Sequence, residues 1–286
     1  MTTSLSASAD AALLARSCGH FADTEVLGSV GSTNQYLLDQ KLVGLARPKL
    51  VWTHEQPAGR GRRGRSWVGQ AQHSLMFSMQ FLRQARIAAV DGLPPIPLYG
   101  LPIAVGVALA ETLAQYAPEL QLKWPNDLLR SGRKFGGILI ETRHRIMSIN
   151  NRPGFQPVHP WQLEQVVIGV GLNLYLDESW RQSIGQPACG LFDTATYPLR
   201  ATIAAQLALA LNDAWLQFQI HGLESVLPRW QNWDALAGQP VRVLDAERVL
   251  FEGVALGLSP TGTLLVRTSA GQQEVSFGDV SVRSTT

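Results

Sequence analysis

The hydrophobic and polar positions up to about residue 236 predict a domain that mixes helices and strands. Apolar residues recur at helical spacing in several segments. Helices are predicted at 34–42, 101–116, 199–220 and from 223 onward. Shorter alternating or fully apolar runs predict strands. These strands are predicted at 50–53, 74–82, 120–124, 136–141 and 166–174. Because the last of them is apolar on both faces, we expect it at the centre of a sheet.

The pattern changes at 237–240, where short alternating runs replace long helices. Strands are predicted at 241–244, 249–258, 263–268, 273–277 and 280–283. Such tight spacing with Gly turns is typical of a small SH3-like β-barrel. We therefore predict an α+β domain over 25–236 and a barrel over 237–286, preceded by a tail or helix over 1–24. The Asn- and Pro-rich stretch 143–164 is predicted to be a long hairpin excursion.

Composition and charge narrow the class of protein. The 286 residues are 45% hydrophobic, and 24 basic against 22 acidic side chains leave a net charge of +2. Any electrostatic function must therefore come from local clustering. The two cysteines, Cys18 and Cys189, lack the spacing of a disulfide framework or a zinc site. With no signal-peptide pattern and no apolar run of about 18 residues, we expect a cytoplasmic protein without a membrane span.

The segment 55–67, EQPAGRGRRGRSW, is here called the Arg-rich loop. It carries four arginines within six residues, separated by glycines. Guanidinium groups match phosphate and carboxylate oxygens, and glycine lets a backbone approach a ligand closely. Because clustered cations repel, we expect the loop to be disordered when empty and ordered by an anion. A solvated basic loop or an RNA-binding segment is the alternative.

Two further segments place charged residues at the ends of predicted strands. In KWPNDL, Asp127 is suited to Mg²⁺ held jointly with phosphates, and Lys123 can meet phosphate as a point charge. An ordinary Asn-Asp turn is the alternative. In RKFGGILIE, Lys134 precedes two glycines that open a strand. It can stabilise a carboxylate before attack and a developing charge afterwards, or it can be a surface lysine.

The last two segments are weaker alone. Glycines within the apolar run IGVGLN indicate that something planar, such as a purine, or another backbone packs there. Asn173 can bond an adenine edge, while close helix packing explains the glycines equally well. The segment GSTN places hydroxyls and an amide where they can either bind a polar ligand or cap a helix.

Together and in this order, these five segments resemble those of the bacterial biotin protein ligases, the biotin–[acetyl-CoA-carboxylase] ligases, from about Gly31 to Arg283. The resemblance implies a class II synthetase-like catalytic domain with a central mixed sheet, followed by the barrel. It also implies ATP, Mg²⁺ and biotin as ligands. ATP and biotin give biotinyl-5′-AMP, and a lysine of a biotin carboxyl carrier protein of acetyl-CoA carboxylase then takes the biotinyl group.

The resemblance assigns roles residue by residue. Biotin is expected at Ser32, Thr33, Asn34, Gln56, Gly59, Arg60, Gly61, Arg62, Lys134 and Gly137. ATP or the adenylate is expected at Arg62, Arg63, Arg65, Trp67, Lys123, Asn126 and Asn173. Lys134 and Arg62 are the expected catalytic residues, and Asp127 the expected Mg²⁺ ligand. Trp67, Trp124 and Ile138 are expected to line an apolar biotin pocket.

Some relatives in this family carry an N-terminal DNA-binding domain. Only about 30 residues precede the first motif, so we expect the form without that domain and no binding of nucleic acid or membrane. The sequence leaves open whether the protein is a homodimer. A lipoate-type ligase of related fold is the main alternative. An RNA-binding module is disfavoured because residues 237–286 are slightly acidic.

Overall fold

The computed structural model describes residues 7–41, 47–85, 97–147, 161–245, 248–276 and 280–284. The elements up to residue 236 are α1 (Ala7–Cys18), β1 (Asp23–Ser29), α2 (Thr33–Asp39), β2 (Lys49–Glu55), β3 (Ser74–Ala85), α3 (Leu101–Leu113), β4 (Leu120–Lys123), β5 (Asp127–Arg130), β6 (Arg133–Met147), β7 (Trp161–Asn173), α4 (Glu178–Ser183), α5 (Arg200–His221) and α6 (Leu227–Trp230). Short 3₁₀ turns occur at Arg62–Gly64 and Leu98–Gly100.

Seven strands form one mixed sheet in the order β1-β2-β3-β7-β6-β5-β4. Strands β1 and β2 run parallel, and every other neighbouring pair runs antiparallel. Strand β7 occupies the central position, as its two apolar faces predicted. The α+β prediction with a central mixed sheet is confirmed.

The two faces of the sheet differ in chemistry, because side chains alternate along each strand. On β3, Leu75, Phe77, Met79 and Phe81 point into the main core, where α1, α3 and α5 pack. The opposite face carries polar side chains, and α2 packs there over a small core. The Arg-rich loop lies on this second face. The polar face therefore holds the site.

The five C-terminal strands form the predicted SH3-like barrel. They are β8 (Pro240–Asp245), β9 (Arg248–Leu258), β10 (Leu264–Thr268), β11 (Gly271–Val275) and β12 (Val280–Ser284), hydrogen-bonded in the order β11-β10-β9-β8-β12. Their apolar side chains join the main core. The indole Nε1 of Trp124 donates to the carbonyl of Gly262 in the barrel at 3.0 Å. The barrel thus contacts the segment that carries Asn126 and Asp127.

Several boundaries differ from the sequence prediction. Strands β1 and β5 were not predicted, because turn residues flank β5 and no clean alternation marks β1. Helix α3 ends at Leu113, and only Leu227–Trp230 is helical in the last predicted helix. The arms of the 143–164 excursion extend β6 and β7, which pair as far as Met147 and Trp161. Residues 148–160 lie outside the described residues. None of the described helices has the length and apolarity needed to cross a membrane.

Candidate active site

The floor of the site is a patch of three glycines on neighbouring strands. Gly137 of β6 lies opposite Gly171 of β7. Gly169 is two residues before Gly171 on β7 and faces the same side of the sheet. A Cβ at Gly169 would lie 2.2 Å from Asn34 Oδ1. A Cβ at Gly171 would lie 2.6 Å from Trp67 Cε2. These glycines therefore let a helix start and an aromatic ring approach the sheet.

The planar group on this floor is the indole of Trp67. Its ring also lies near Gly137, where a Cβ would be 3.6 Å from the ring edge. Close packing thus explains the glycines of IGVGLN without a purine. The Trp67 Nε1 donor is buried and has no partner among the described residues. A hydrogen-bond donor consequently remains for a ligand.

One end of the cleft is a neutral hydrogen-bonded cluster, here called the polar end: Thr33, Asn34, Gln56 and Ser78. The Thr33 backbone N–H and hydroxyl donate to Gln56 Oε1 at 2.7 Å and 3.1 Å. The Ser78 hydroxyl lies 2.7 Å from Thr33 Oγ1 and 2.6 Å from Asn34 Oδ1. Since a hydroxyl carries one proton, it donates to one of these oxygens at a time. The cluster is largely buried and fixed in orientation.

The amide of Asn34 is held by β6 on its nitrogen and by Ser78 of β3 on its oxygen. Its Nδ2 donates to the carbonyl of Leu139 at 3.2 Å and to Glu141 Oε2 at 2.9 Å. Ser32 caps α2 by accepting from the Gln35 N–H at 3.4 Å. The sequence left open whether the GSTN segment caps a helix or binds a ligand. The structure shows the cap at Ser32, while Thr33 and Asn34 face the cleft.

The Arg-rich loop is a narrow hairpin across the cleft. The Gly61 N–H donates to the Arg65 carbonyl at 2.7 Å, and the Trp67 N–H to the Gly59 carbonyl at 2.9 Å. A Cβ at Gly59 would lie 2.6 Å from the Trp67 carbonyl, so the close approach requires glycine here. Arg63, at the tip, has a positive φ of 60°. The expectation that the empty loop is disordered stays a prediction.

Two arginines of the loop have partners across the cleft, one on β6 and one in the turn between β4 and β5. Arg60 Nη2 forms an ion pair with Glu141 Oε1 at 2.7 Å, and its Nη1 donates to Gln35 Oε1. Arg62 Nη1 donates to Asn126 Oδ1 at 3.2 Å. The half-buried position lowers the pKa of Arg62, although an arginine stays protonated at neutral pH. Its charge therefore faces the cleft with little solvation.

The other end of the cleft, here called the cationic end, consists of Arg62, Arg65 and Lys134 around Asp127. Lys134 Nζ lies 2.5 Å from Asp127 Oδ1 and 5.9 Å from the centre of the Trp67 ring. Arg65 is exposed. The Lys134 backbone is fixed from outside the sheet, because its N–H donates to the Pro187 carbonyl at 3.1 Å and its carbonyl accepts from the Cys189 N–H at 3.0 Å.

Lys123 lies beside the cationic end without a partner of its own. Burial lowers the pKa of Lys123, and the nearby charges of Lys134, Arg283 and Arg65 lower it further against the opposing effect of Asp127. No hydrogen bond or ion pair of its ammonium occurs among the described residues. Because Arg283 belongs to β12, the barrel contributes positive charge to this region.

The two ends lie in one open cleft of about 750 Å³. Among the described residues that line it are four cations, Arg60, Arg62, Arg65 and Lys134, and one carboxylate, Asp127. The described residues contain no group of three or more His, Cys, Asp or Glu side chains that could hold a metal ion. The cleft therefore favours an extended ligand that is polar and neutral at one end and anionic at the other.

Comparison with known proteins identifies the family. The profile of the biotin/lipoate A/B protein ligase family matches residues 26–150, and that of the biotin protein ligase C terminal domain matches residues 237–283. The bifunctional ligase/repressor BirA of Escherichia coli is 31% identical over 91% of this chain and 74% of its own length. The chain belongs to the biotin protein ligase family. The resemblance predicted from the motifs is confirmed.

Other relatives agree with this assignment. The biotin–[acetyl-CoA-carboxylase] ligase of Paracoccus denitrificans is 29% identical over 89% of this chain and 98% of its own. The biotin protein ligase of Aquifex aeolicus, solved in complex with biotin and ATP, has the same fold, with a TM-score of 0.69 at 23% identity. It covers 92% of this chain and 99% of its own.

Most residues that the sequence selected lie together in the cleft of this biotin protein ligase family member. The lining contains Ser32, Thr33, Asn34, Gln56, Arg60, Gly61, Arg62, Arg65, Trp67, Asn126, Asp127, Lys134, Gly137 and Ile138. These residues come from the start of α2, the Arg-rich loop, the turn between β4 and β5, and strands β5 and β6, which are distant in the chain. Their assigned roles toward biotin and ATP stay predictions.

Other selected residues lie outside the lining. Gly59 is buried at the base of the loop, and Arg63 is exposed at its tip. Asn173 is 4% exposed, and its Oδ1 accepts from the Ser74 hydroxyl at 3.0 Å. Lys123 is partly buried next to the lining. The prediction that Trp124 lines the pocket is wrong, because its side chain is 2% exposed and bonds Gly262 of the barrel.

The sequence analysis missed three residues at the site. Ser78 could have been found, because Ser74, Ser78 and Gln80 are polar at even positions of a strand whose odd positions are apolar. Glu141 ends the RKFGGILIE motif and was quoted without a role. Gln186 lines the cleft beside Lys134. No signal in the sequence marks Gln186, because only the folded chain brings 186–189 next to β6.

Proposed function

We propose that the protein joins biotin to ATP as biotinyl-5′-AMP and then transfers the biotinyl group to a lysine of a biotin carboxyl carrier protein. The observation that carries this proposal is the single cleft with a neutral polar end and a cationic end. Biotin has the matching polarity, since a ureido ring occupies one end of the molecule and a carboxylate the other. ATP adds the phosphates that the remaining cations require.

The polarity of the cleft suggests the orientation of biotin. The ureido ring needs hydrogen-bond donors for its oxygen and acceptors for its two N–H groups. The polar end provides hydroxyl and amide groups of both kinds. Trp67 and the glycine floor offer flat apolar contact to the ring system and the aliphatic chain. In this orientation the carboxylate would point toward Lys134, whose side chain is 20% exposed beside Trp67.

In the first step, a carboxylate oxygen of biotin attacks the α-phosphorus of ATP, and the bond to the β-phosphate oxygen breaks to release pyrophosphate. Negative charge grows on the α-phosphate oxygens as this bond forms. Lys134 and Arg62 are the cations expected to stabilise that charge, and both are fixed by side-chain partners, Asp127 on β5 and Asn126 in the turn before it. Fixed cations in a site shielded from water stabilise such charge more than solvent does.

In the second step, the neutral ε-amino group of the acceptor lysine attacks the acyl carbon of the mixed anhydride. The amide bond forms, the bond between the acyl carbon and the phosphate oxygen breaks, and the amine nitrogen loses a proton to solvent. AMP then leaves with its charge held by the same cations. The Arg-rich loop covers the adenylate and keeps out water, which would hydrolyse it. The loop thereby favours transfer over loss of the intermediate.

Mg²⁺ is proposed to arrive with ATP. Asp127 is the one carboxylate among the described lining residues, and it is bound to Lys134. Mg²⁺ commonly takes one or two protein carboxylates and fills its shell with phosphate oxygens and water. Asp127 fits as a single ligand of the Mg–ATP complex, which would supply charge neutralisation at the phosphates. The described residues offer no second carboxylate for a resident metal.

A direct test is to incubate the purified protein with ATP, Mg²⁺ and biotin and to follow biotinyl-5′-AMP and labelling of a carrier domain. We expect both products. Lipoate in place of biotin should compete weakly, because its dithiolane has neither the N–H donors nor the carbonyl acceptor with which a ureido ring can bond the hydroxyl and amide groups of the polar end. Tight lipoate binding with no biotin adenylate would contradict the proposal and favour a lipoate-type ligase.

A further inference from the structure

Glu141 lies beside the cleft and bonds two residues that line it. It sits on β6, two and four residues beyond the lining positions Leu139 and Gly137 on the same face. Its Oε2 accepts from Asn34 Nδ2 at 2.9 Å, and its Oε1 pairs with Arg60 Nη2 at 2.7 Å. Asn34 belongs to the polar end, and Arg60 to the Arg-rich loop. One carboxylate therefore joins the loop to the polar end.

We propose that Glu141 is a positioning residue that couples closure of the Arg-rich loop to biotin binding. This inference rests on the proposed function, since it concerns how the same site holds biotin. Arg60 shares the loop with three further arginines, so without Glu141 its charge is uncompensated and repulsion between like charges favours an open loop. The pair neutralises Arg60 next to a neutral ligand ring and leaves Arg62 and Arg65 for phosphate.

Both carboxylate oxygens of Glu141 are needed for this role. Each oxygen accepts from a different donor, one on a guanidinium and one on an amide. A glutamine side chain has the same size but one acceptor and one donor group. In Glu141→Gln, at least one of the two contacts is lost and an N–H faces another N–H. Glu141→Asp keeps the charge and both acceptors at a shorter reach.

A matched control exists on the same sheet. Glu164 of β7 pairs with Arg83 Nε of β3 at 2.7 Å. That pair also joins a strand glutamate to an arginine, but neither residue lines the cleft or belongs to the Arg-rich loop. Glu164→Gln therefore reports what the loss of a strand ion pair does to the sheet alone.

The first experiment measures steady-state adenylate formation by the full chain. For Glu141→Gln we expect a KM for biotin raised about tenfold with kcat within about twofold, since charge-assisted contacts are lost without loss of a reacting group. Glu141→Asp should recover part of the KM. Glu164→Gln should match the parent. A parent-like KM for Glu141→Gln, or an equal rise in Glu164→Gln, overturns the inference.

The second experiment needs no activity, so it separates this inference from the proposed function. Trypsin cleaves after arginine, and the loop offers four sites between Arg60 and Arg65. Without ligand, the pair of Arg60 with Glu141 should hold part of the loop closed, so we expect cleavage within the loop to be about three- to tenfold faster in Glu141→Gln than in the parent, with Glu164→Gln unchanged. A loop that is fully disordered when empty would be cleaved at the same rate in all three proteins. Equal cleavage rates in all three proteins overturn the role of Glu141 even if the parent makes biotinyl-5′-AMP.

Discussion

The polar end and the cationic end of the cleft hold their side chains by different means. At the polar end, every group described above bonds another group of the protein, and Asn34 is 3% exposed. At the cationic end, three cations surround one carboxylate, and Lys123 beside them has no ion pair among the described residues. The hydrogen-bonding groups of the polar end are satisfied without ligand. The cationic end has more positive than negative charge.

This difference explains how one cleft accepts two unlike substrates. A neutral ring gains little from charge, so it is recognised by donors and acceptors whose positions are already fixed. Phosphate oxygens are recognised by charge, and cations that the protein does not neutralise can bind them. Substitutions at the polar end should therefore change biotin affinity selectively, and those at the cationic end should change the chemistry and the nucleotide. Four predictions test this division.

Lys134→Ala should have the largest effect. Removal of one fixed donor at a developing charge commonly costs about 10²–10³ in rate, and we expect that loss in adenylate formation measured by pyrophosphate exchange. Folding stability should change little. Lys49→Ala is the control, because Lys49 also pairs with a carboxylate (Glu25, 2.8 Å) and lies 5.8 Å from an aromatic ring centre. Unchanged turnover in Lys134→Ala would remove its catalytic role.

Arg62→Ala should have the next largest effect. The substitution removes the hydrogen bond from Arg62 to Asn126 and the positive charge that faces the phosphates. We expect KM for ATP and for biotin to rise, and release of the adenylate to be on the order of tenfold to hundredfold faster, measured by trapping free biotinyl-5′-AMP. Arg63→Ala should have a smaller effect, because Arg63 is exposed at the tip of the loop. Equal effects of both substitutions would show that the loop acts only through its total charge.

The motifs predicted which segments meet at the site, and they did so through their combination and order. Each of them alone has an ordinary structural explanation, such as a solvated basic loop or a surface lysine. The central position of β7 was predicted from its two apolar faces, whereas the order of the other strands was not. The motifs did not show which group packs against each glycine. Only the register that places Gly137 opposite Gly171 shows that Trp67 fills the space.

Two motif residues lie outside the lining for a shared physical reason, and the adenine role expected of Asn173 stays a prediction. Trp124 and Asn173 lie within motifs, yet their side chains bond Gly262 and Ser74. Alternation along a strand fixes the face of a side chain. The turns at the ends of strands, such as 124–126, break that alternation. Gln186 and Glu141 depend on contacts between segments far apart in the chain, which no local pattern encodes. The domain boundaries and the absence of DNA binding stay predictions.

Gly171→Ala should have an intermediate effect that is confined to biotin. The new Cβ would lie 2.6 Å from Trp67 Cε2, so the indole must move off the floor. We expect KM for biotin to rise about tenfold, while KM for ATP changes less. Gly28→Ala is the control, since a Cβ on that strand glycine meets nothing within 4 Å. Equal rises in both KM values would mean that the two ends are not separate.

Lys123→Met should have the smallest effect on catalysis, and it should make the folded protein more stable. Burial lowers the pKa of Lys123, which means that the folded protein holds this proton less tightly than the unfolded chain. The charged form therefore costs stability below the folded pKa, and that cost disappears as pH rises through it. Removing the charge should raise the free energy of unfolding at neutral pH by about 1 kcal/mol, measured by urea denaturation.

The same substitution should weaken ATP binding severalfold and leave biotin binding unchanged, because Lys123 lies beside the cationic end only. In the parent, ATP affinity should begin to fall at a lower alkaline pH than an ordinary lysine would give, since the lowered pKa removes the charge earlier. Lys49→Met, which breaks an existing ion pair, should not gain stability. If Lys123→Met is less stable than the parent, or if it binds ATP with the same affinity, then Lys123 is not an unneutralised charge that binds phosphate.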